Sequence, residues 1–160
     1  PNVLSQELRL SCSHYTPMDA DSIPTGEIRD VTETAFDFRQ MKAIGRDINC
    51  ADTQIELANG GYDHNFCIDS DTQGAFATAY DPESGRVMEV TTDMPGVQLY
   101  TGNFLNNIPG KGGTLMNKHA GFCLETQFYP DSPNRPNFPP CIFKAGETFR
   151  SRTSFKFSVK

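Results

Sequence analysis

The sequence predicts an all-β protein, an antiparallel β-sandwich, from three observations. Segments in which apolar and polar residues alternate recur along the chain, as in strands with one buried face. The 13 glycines and 11 prolines supply many turns, and the 12 phenylalanines and 5 tyrosines favour strands over helices. The Asp-Pro-Glu-Ser-Gly segment at 81–85 is a strong hairpin signal between two such segments.

The first third of the chain contains the shorter elements. Alternation over 8–12 predicts a strand, and the prolines within 15–27 predict turns and exclude a helix or a central strand there. A short strand is expected at 27–31. Residues 39–58 fit either a short amphipathic helix or an ordered loop, because apolar residues recur there at three- and four-residue spacing.

The remaining strands are easier to assign. They are predicted at 64–69, 74–81, 86–93, 96–101 and 121–129. A glycine-rich loop covers 106–119, and a loop with many prolines covers 130–140. In 149–160, alternate residues form one face of Phe149, Ser151, Thr153, Phe155, Phe157 and Val159 and another of Arg150, Arg152, Ser154, Lys156, Ser158 and Lys160. This pattern predicts a long, half-buried strand with a basic outer face.

Composition excludes some classes of partner. The net charge of −6 argues against binding to a nucleic-acid backbone. No apolar run approaches the roughly 18 residues of a membrane-spanning helix. No signal peptide is recognisable, and because residue 1 is Pro rather than Met we expect the chain to be less than a whole reading frame.

The cysteines and histidines favour neither disulfides nor a metal site. The five cysteines include no Cys-x-x-Cys pair, and Cys67 and Cys123 lie in apolar runs, so we expect free, buried thiols in a reducing compartment, the cytoplasm. The three histidines, His14, His64 and His119, lack the spacing that places ligands on one helical face.

Glu125 is the candidate general base. Alternation places Glu125 and Gln127 on one face of a strand with Cys123, and Phe122, Leu124 and Phe128 on the other. A carboxylate in an otherwise apolar strand costs free energy unless it is paired, so it is a candidate for acid–base chemistry. The alternative is an outward glutamate on a solvated face.

Two further segments carry candidate binding residues. Asp63 lies with His64 and Asn65 where a glycine pair meets an apolar strand, a place suited to binding vicinal hydroxyls or to capping the strand. His64 is either a proton donor or a hydrogen-bonded junction residue. Gln98 and Tyr100 share a strand face, which suits either a sugar site or ordinary alternation.

Lys111-Gly112-Gly113 lacks the pattern of a phosphate-binding loop and is interpreted as a plain loop. From the residues alone, we expect a β-rich cytosolic domain, and binding of a polar ligand is a hypothesis.

Several segments, in the same order, resemble the galactose mutarotase (aldose 1-epimerase) family over nearly the whole chain. They are Tyr15-Thr16-Pro17-Met18-Asp19, Ile23-Pro24-Thr25-Gly26-Glu27, Phe36-Asp37, Tyr62-Asp63-His64-Asn65-Phe66, 85–90, 95–103, 118–127, Phe138-Pro139-Pro140, Ala145-Gly146-Glu147 and Phe155-Lys156-Phe157-Ser158.

The resemblance implies a large antiparallel β-sandwich that interconverts the α and β anomers of aldohexoses such as galactose and glucose, with neither cofactor nor metal. In that family a Glu removes the proton of the C1 hydroxyl while a His protonates the ring oxygen, and the ring opens and recloses. The family's base falls on Glu125, and its ligands for sugar hydroxyls fall on Asp63 and Gln98.

The sequence also departs from the family. Family chains are about twice this length, and residues 1–160 match the C-terminal portion of their single domain. The acid histidine lies in an upstream Asn-His-x-Tyr-Phe-Asn-Leu segment that this sequence lacks. We therefore expect the N-terminal half of the enzyme as a partner, on a separate chain or elsewhere in the same protein, and expect residues 1–160 alone to be inactive.

Three alternatives stay open beside a complete mutarotase. The chain could be an inactive fragment, or a non-catalytic sugar-binding or sugar-sensing module. It could also belong to a hexose-phosphate epimerase, for which Lys111 or Lys118 would have to supply the phosphate contact.

Overall fold

The computed structural model describes residues 2–160, and within that range the chain forms twelve strands and one α-helix. In chain order these are β1 (Glu7–Leu10), β2 (His14–Thr16), β3 (Arg29–Asp30), β4 (Lys42–Ala43), α1 (Thr53–Leu57), β5 (Asp63–Cys67), β6 (Ala77–Tyr80), β7 (Arg86–Thr92), β8 (Gly96–Tyr100), β9 (Ile108–Pro109), β10 (Leu115–Met116), β11 (Cys123–Gln127) and β12 (Thr153–Val159).

Two five-stranded antiparallel sheets dominate the fold. The first has the strand order β12-β7-β6-β1-β4, the second has the order β11-β8-β5-β2-β3, and β9 and β10 pair as a separate short ribbon. Leu10 and Val90 of the first sheet share one hydrophobic core with Phe66 and Leu99 of the second. The predicted antiparallel β-sandwich is confirmed.

The hairpin between β6 and β7 forms at the predicted turn. Gly85 donates its amide proton to the Asp81 carbonyl at 2.8 Å and adopts a φ of +73°, which a glycine tolerates without strain. The pairing places Tyr80 opposite Val87. The turn therefore sets the register of the two strands.

The prediction that 15–27 contains no central strand was wrong for the first two residues. Tyr15 and Thr16 belong to β2, which is bonded to β5 on one side and β3 on the other, so β2 is not an edge strand. Pro17 follows directly, and the missing amide proton ends the strand after only three residues. Residues 39–58 contain β4 and the five-residue helix α1, whose N-terminus is capped by Asp52 accepting from the Gln54 amide.

The prediction that the C-terminal strand is half-buried was also wrong. β12 pairs with β7 over its whole length, and Phe155 and Phe157 stand opposite Val90 and Met88, on the core side of the sheet. Both phenylalanines are nevertheless exposed, Phe157 to 72%. β12 is an edge strand. The second sheet reaches its first residue, where the Thr126 and Thr153 hydroxyls are 2.6 Å apart, but leaves both phenylalanines open.

All five cysteines within the described residues are free. The prediction that these thiols are buried was wrong for some of them. Cys12 and Cys67 are buried, and burial raises the pKa of the Cys67 thiol to about 11. Cys123 is exposed because its side chain leaves the sheet on the face away from the core. In the range 2–160 no helix is long and apolar enough to cross a membrane.

Candidate functional site

A row of polar side chains crosses the second sheet on the face opposite the core. The antiparallel register aligns Thr16 of β2 with Asn65 of β5, Asn65 with Gln98 of β8, and Gln98 with Glu125 of β11. Directly paired residues of neighbouring antiparallel strands project from the same face. Four polar side chains therefore stand side by side, each supplied by a different strand.

Hydrogen bonds fix the centre of this polar face. Gln98 Nε2 donates to Asp63 Oδ1 at 2.9 Å, and Gln127 Nε2 donates to Gln98 Oε1 at 3.0 Å. Gln127 Nε2 also donates to Asn65 Oδ1 at 3.2 Å. Both ends of the Gln98 amide have partners, so its nitrogen is directed toward Asp63 and its oxygen toward Gln127.

The polar face offers more acceptors than donors. The second carboxylate oxygen of Asp63 and the Gln127 amide oxygen accept no side-chain hydrogen bond from within residues 2–160, and the exposed carboxylate of Glu125 has only the Cys123 thiol as a side-chain donor there. Gln98 Nε2 keeps one N–H beyond its bond to Asp63. The arrangement suits a ligand that presents several hydroxyl groups, since a hydroxyl can donate to a carboxylate and accept from an amide.

An aromatic wall closes one end of the polar face. Tyr129 and Phe138 pack on Cys67 in a small cluster separate from the main core. Gly96 permits this approach, because a Cβ there would lie 2.5 Å from Asn65 Oδ1 and 2.9 Å from Tyr129 Cδ1.

Two buried residues of the polar row have unpaired atoms. Thr16 and Asn65 are buried, and Thr16 Oγ1 and Asn65 Nδ2 have no hydrogen-bond partner among the described residues. The row thus keeps unused hydrogen-bonding capacity.

A buried polar clamp anchors the start of β5, which carries Asp63. The Tyr62 amide donates to Thr101 Oγ1 at 2.9 Å, and Asn103 Nδ2 donates to the Tyr62 carbonyl at 2.8 Å. Thr101 Oγ1 in turn bonds Asn103 Oδ1 at 2.7 Å. These three bonds tie the segment before β5 to the end of β8, so Asp63 and Gln98 are held at a fixed separation.

The histidines have structural partners elsewhere. His64 points into the core, where its Nε2 bonds Gln54 Oε1 at 3.2 Å and burial lowers the pKa of its imidazole to about 3. His119 Nδ1 bonds the Thr101 carbonyl at 2.8 Å, and His14 on β2 is paired opposite Asp30. These contacts fit the interpretation of His64 as a hydrogen-bonded junction residue rather than as a proton donor.

Other titratable groups near the polar face do not form a metal site. Cys123 lies two residues before Glu125, and partial burial, with a further contribution from the Glu125 charge, raises the pKa of its thiol. Within residues 2–160 no group of three or more His, Cys, Asp or Glu side chains is arranged to hold a metal ion. Lys111 is exposed in a short helical turn between β9 and β10.

The structure brings together the three site residues predicted from sequence. Asp63, Gln98 and Glu125 lie on three neighbouring strands with their side chains on one face. Sequence reasoning placed Asn65 with Asp63 in a segment suited to binding hydroxyls and Gln127 beside Glu125 without a role. It missed Thr16, because the adjacent proline concealed β2. The segment Leu8–Cys12 followed at once by His14-Tyr15-Thr16 could have suggested a second short strand.

The fold and this face define a β-sandwich protein with an open, acceptor-rich polar site. The sequence pattern of the family described as aldose 1-epimerase matches residues 1–156. The chain belongs to the aldose 1-epimerase family.

Similar proteins include the galactose mutarotases of Bos taurus and Homo sapiens, which are 45% and 44% identical to this chain over 161 residues. Each alignment covers 99% of this chain and 45% of the relative. The crystal structure of an aldose epimerase homologue from C. elegans superimposes with a TM-score of 0.87 at 27% identity, over 99% of this chain and 47% of that one. The chain spans about half the length of the relatives it matches.

Proposed function

We propose that residues 1–160 are the C-terminal portion of an aldose 1-epimerase domain that interconverts the α and β anomers of D-galactose or D-glucose. The observation that carries the proposal is the alignment of Asp63, Gln98 and Glu125 on one open face of the sheet. The similarity to galactose mutarotases supports the same reaction.

Asp63 and Gln98 would bind sugar hydroxyls. Their mutual hydrogen bond leaves one Asp63 oxygen and one Gln98 N–H free, so the pair presents an acceptor beside a donor. Neighbouring hydroxyls of a pyranose can satisfy both at once. Because Gln127 holds the Gln98 amide in one orientation, little rotational freedom has to be lost on binding.

Glu125 would act as the general base. Its carboxylate stands next to Gln98 in the row and has no ion-pair partner among the described residues, so it is free to take a proton. Removal of the C1 hydroxyl proton by Glu125, with protonation of the ring oxygen by an acid, breaks the C1–O5 bond and gives the open aldehyde. Rotation about C1–C2 and reclosure with reversed proton transfers deliver the other anomer.

The acid would come from the N-terminal half of the enzyme. His64 and His119 are hydrogen-bonded to Gln54 and to the Thr101 carbonyl, and His14 lies on β2 opposite Asp30. The resemblance places the family's acid histidine upstream of the region that this chain matches. We propose that this half is the partner of residues 1–160 and that the complete enzyme works in the cytoplasm, in keeping with the free thiols.

An apolar groove supports the proposed partner. It is a groove of about 460 Å³ lined by Met88, Phe122, Leu124, Phe155 and Phe157 among others, between the edges of the two sheets. Its exposed phenylalanines lie on the core side of β12, where the interior of a larger sandwich would continue. The alignment covers 45% of the bovine relative, and we expect the part outside it to provide the missing cover.

Polarimetry of freshly dissolved α-D-galactose tests the proposed reaction. Residues 1–160 would be mixed with the N-terminal half of the bovine relative, and we expect faster decay of optical rotation than with either piece alone. Glu125→Gln keeps the shape but loses the base, so it should slow the catalysed reaction at least roughly a hundredfold. Glu7→Gln on the other sheet is the control and should keep wild-type activity.

Two results would contradict the proposal. Near-normal turnover in Glu125→Gln would remove Glu125 from the mechanism. If the mixture forms a complex that binds galactose without accelerating its mutarotation, the non-catalytic sugar-binding module becomes the better account. Asp63→Ala adds a separate check, because it should mainly raise KM, and unchanged KM and kcat would exclude Asp63 from binding.

A further inference from the structure

The side-chain hydrogen bonds at the centre of the polar face all run in one direction. The Asp63 carboxylate can only accept, so Gln98 presents Nε2 to it at 2.9 Å. Gln98 Oε1 then faces β11 and accepts from Gln127 Nε2 at 3.0 Å. The same Gln127 nitrogen donates to Asn65 Oδ1 at 3.2 Å. Gln127 therefore uses its two N–H bonds on two different amides, and both contacts fix its own orientation.

The Asp63 carboxylate excludes the opposite direction. If every amide of the chain were turned over, Gln98 would direct its carbonyl oxygen at Asp63, and two acceptors would face each other. The direction that is adopted has a cost at its far end. Asn65 is 2% exposed, and its Nδ2 has no hydrogen-bond partner among the described residues. A buried donor without an acceptor is destabilising, so the order of these amides serves something other than the stability of the fold.

A glycine makes room for the junction between Gln127 and Asn65. Gly96 is the residue of β8 that is paired with Gln127 on β11, so the two point to the same face of the sheet. A Cβ at Gly96 would lie 2.5 Å from Asn65 Oδ1, the atom that accepts from Gln127. The missing side chain therefore leaves the space through which Gln127 reaches both Asn65 and Gln98.

We propose that Gln127 and Asn65 are positioning residues, which hold the Gln98 amide so that its second N–H is presented to a sugar hydroxyl beside Asp63. This rests on the proposed function, since Gln98 must bind the sugar. Gln127 and Asn65 act only through Gln98. They maintain a donor at Gln98 next to an acceptor at Asp63, whereas a reversed Gln98 amide would offer the sugar two acceptors.

Gln127→Met tests the role of Gln127, because methionine has a similar length and lacks both N–H bonds. The complex of residues 1–160 with the N-terminal half of the bovine relative would be assayed with D-galactose by polarimetry. We expect KM to rise about fivefold, the effect of one hydrogen bond, while kcat changes by less than about twofold. Thr126→Val is the matched control on β11. The Thr126 hydroxyl contacts that of Thr153 on the other sheet at 2.6 Å, so both constants should stay at the wild-type values.

A double-mutant cycle distinguishes positioning from direct contact. A residue that acts only through Gln98 has nothing to act on in Gln98→Ala, so adding Gln127→Met to that variant should not raise KM further. If Gln127→Met raises KM by the same factor with and without the Gln98 side chain, Gln127 acts on its own and the proposal is wrong.

Asn65→Leu separates positioning from a structural role. Leucine removes the acceptor of Gln127 and also the unpaired Nδ2, so KM should rise about fivefold while the midpoint of urea unfolding does not fall. A lower midpoint with unchanged KM would make Asn65 a structural residue instead.

Two further outcomes distinguish this proposal from the proposed function. If the wild-type complex is active and neither Gln127→Met nor Asn65→Leu alters KM, the positioning role is wrong while the proposed function stands. If the wild-type complex neither binds D-galactose nor accelerates its mutarotation, the proposed function is wrong, and the positioning role falls with it.

Discussion

At the residue scale, His64 shows how a titratable group beside the candidate site serves the fold. Its ring is 1% exposed, and its Nδ1 accepts from the Asp63 amide at 3.1 Å. This leaves Nε2 to carry the proton and donate to Gln54 Oε1. The neutral ring therefore connects the backbone of the site strand to α1.

This burial predicts a pH dependence of stability. The unfolded chain binds a proton at His64 below about pH 6.5, but the folded protein does not until its pKa of about 3 is reached. Unfolding therefore takes up a proton between these values, and the free energy of unfolding falls as the pH drops through this window. At pH 5 the loss relative to pH 7 should be about 2 kcal/mol from His64.

Urea unfolding of His64→Gln at pH 7 and pH 5 measures this contribution. In the variant, the free energy of unfolding should differ between the two pH values by about 2 kcal/mol less than in the wild type, because glutamine does not titrate. His14→Gln, at a half-buried position of β2, should retain the difference. An undiminished pH dependence in His64→Gln would show that the drop comes from other groups.

Strand periodicity was enough to predict which side chains share a face. Glu125 with Gln127, and Gln98 with Tyr100, were assigned correctly because alternate residues of a strand project together. The bond from Gln98 to Asp63 could not be foreseen, because it depends on which strands are neighbours and on their register. Likewise, nothing local to Cys123 shows that its face of the sheet lies open.

At the scale of elements, the strands that carry hairpin or alternation signals were predictable, and the shortest ones were not. β6, β7 and β8 lie within the predicted segments, and β11 within 121–129. β2 consists of three residues, stabilised by pairing with β5 and β3 rather than by its own sequence. Its place in the middle of the sheet depends on distant partners, and local propensity therefore does not predict it.

Gly61 tests how the site strand is anchored. A Cβ at this position would lie 1.9 Å from Asn103 Oδ1 and 2.7 Å from Thr101 Oγ1, inside the clamp that holds Tyr62. Gly61→Ala must therefore displace that clamp, and we expect a loss of more than about 2 kcal/mol in the free energy of unfolding.

Gly121→Ala provides the comparison, because no atom lies within 4 Å of the position where its Cβ would stand. It should change the free energy of unfolding by less than about 1 kcal/mol in either direction. Equal, small effects of both substitutions in urea unfolding would mean that the clamp adjusts freely and does not fix Asp63.

At the scale of the whole molecule, the two sheets enclose one core but leave one side of the sandwich open. The covered part includes Leu10, Phe66 and Leu99, whereas Phe155 and Phe157 on the same layer remain in water. Alternation in 149–160 identified the apolar face correctly, but a sequence pattern does not reveal whether a second layer covers it. The half-length match to the relatives supplies the reason for expecting a cover from outside residues 1–160.

Phe157 tests whether this open side binds the N-terminal half. Phe157→Ser removes an exposed ring from the groove, and because burial of a phenylalanine side chain contributes about 1.5–3 kcal/mol, association should weaken at least roughly tenfold. Ile142→Ser is matched in exposure, 73% against 72%, but Ile142 does not line the groove. Sedimentation of each variant with the N-terminal half of the bovine relative would give the association constants.

Phe157→Ser should also weaken the self-association of residues 1–160 when they are alone. An open apolar layer and an edge strand favour self-association, so Phe157→Ser should make the isolated chain more monomeric than Ile142→Ser does. Weaker binding to the N-terminal half together with weaker self-association would show that both use this groove. Equal effects of the two substitutions would mean that the groove is not the surface on which the sandwich is completed, and a monodisperse, cooperatively unfolding wild-type monomer would remove the need for a partner.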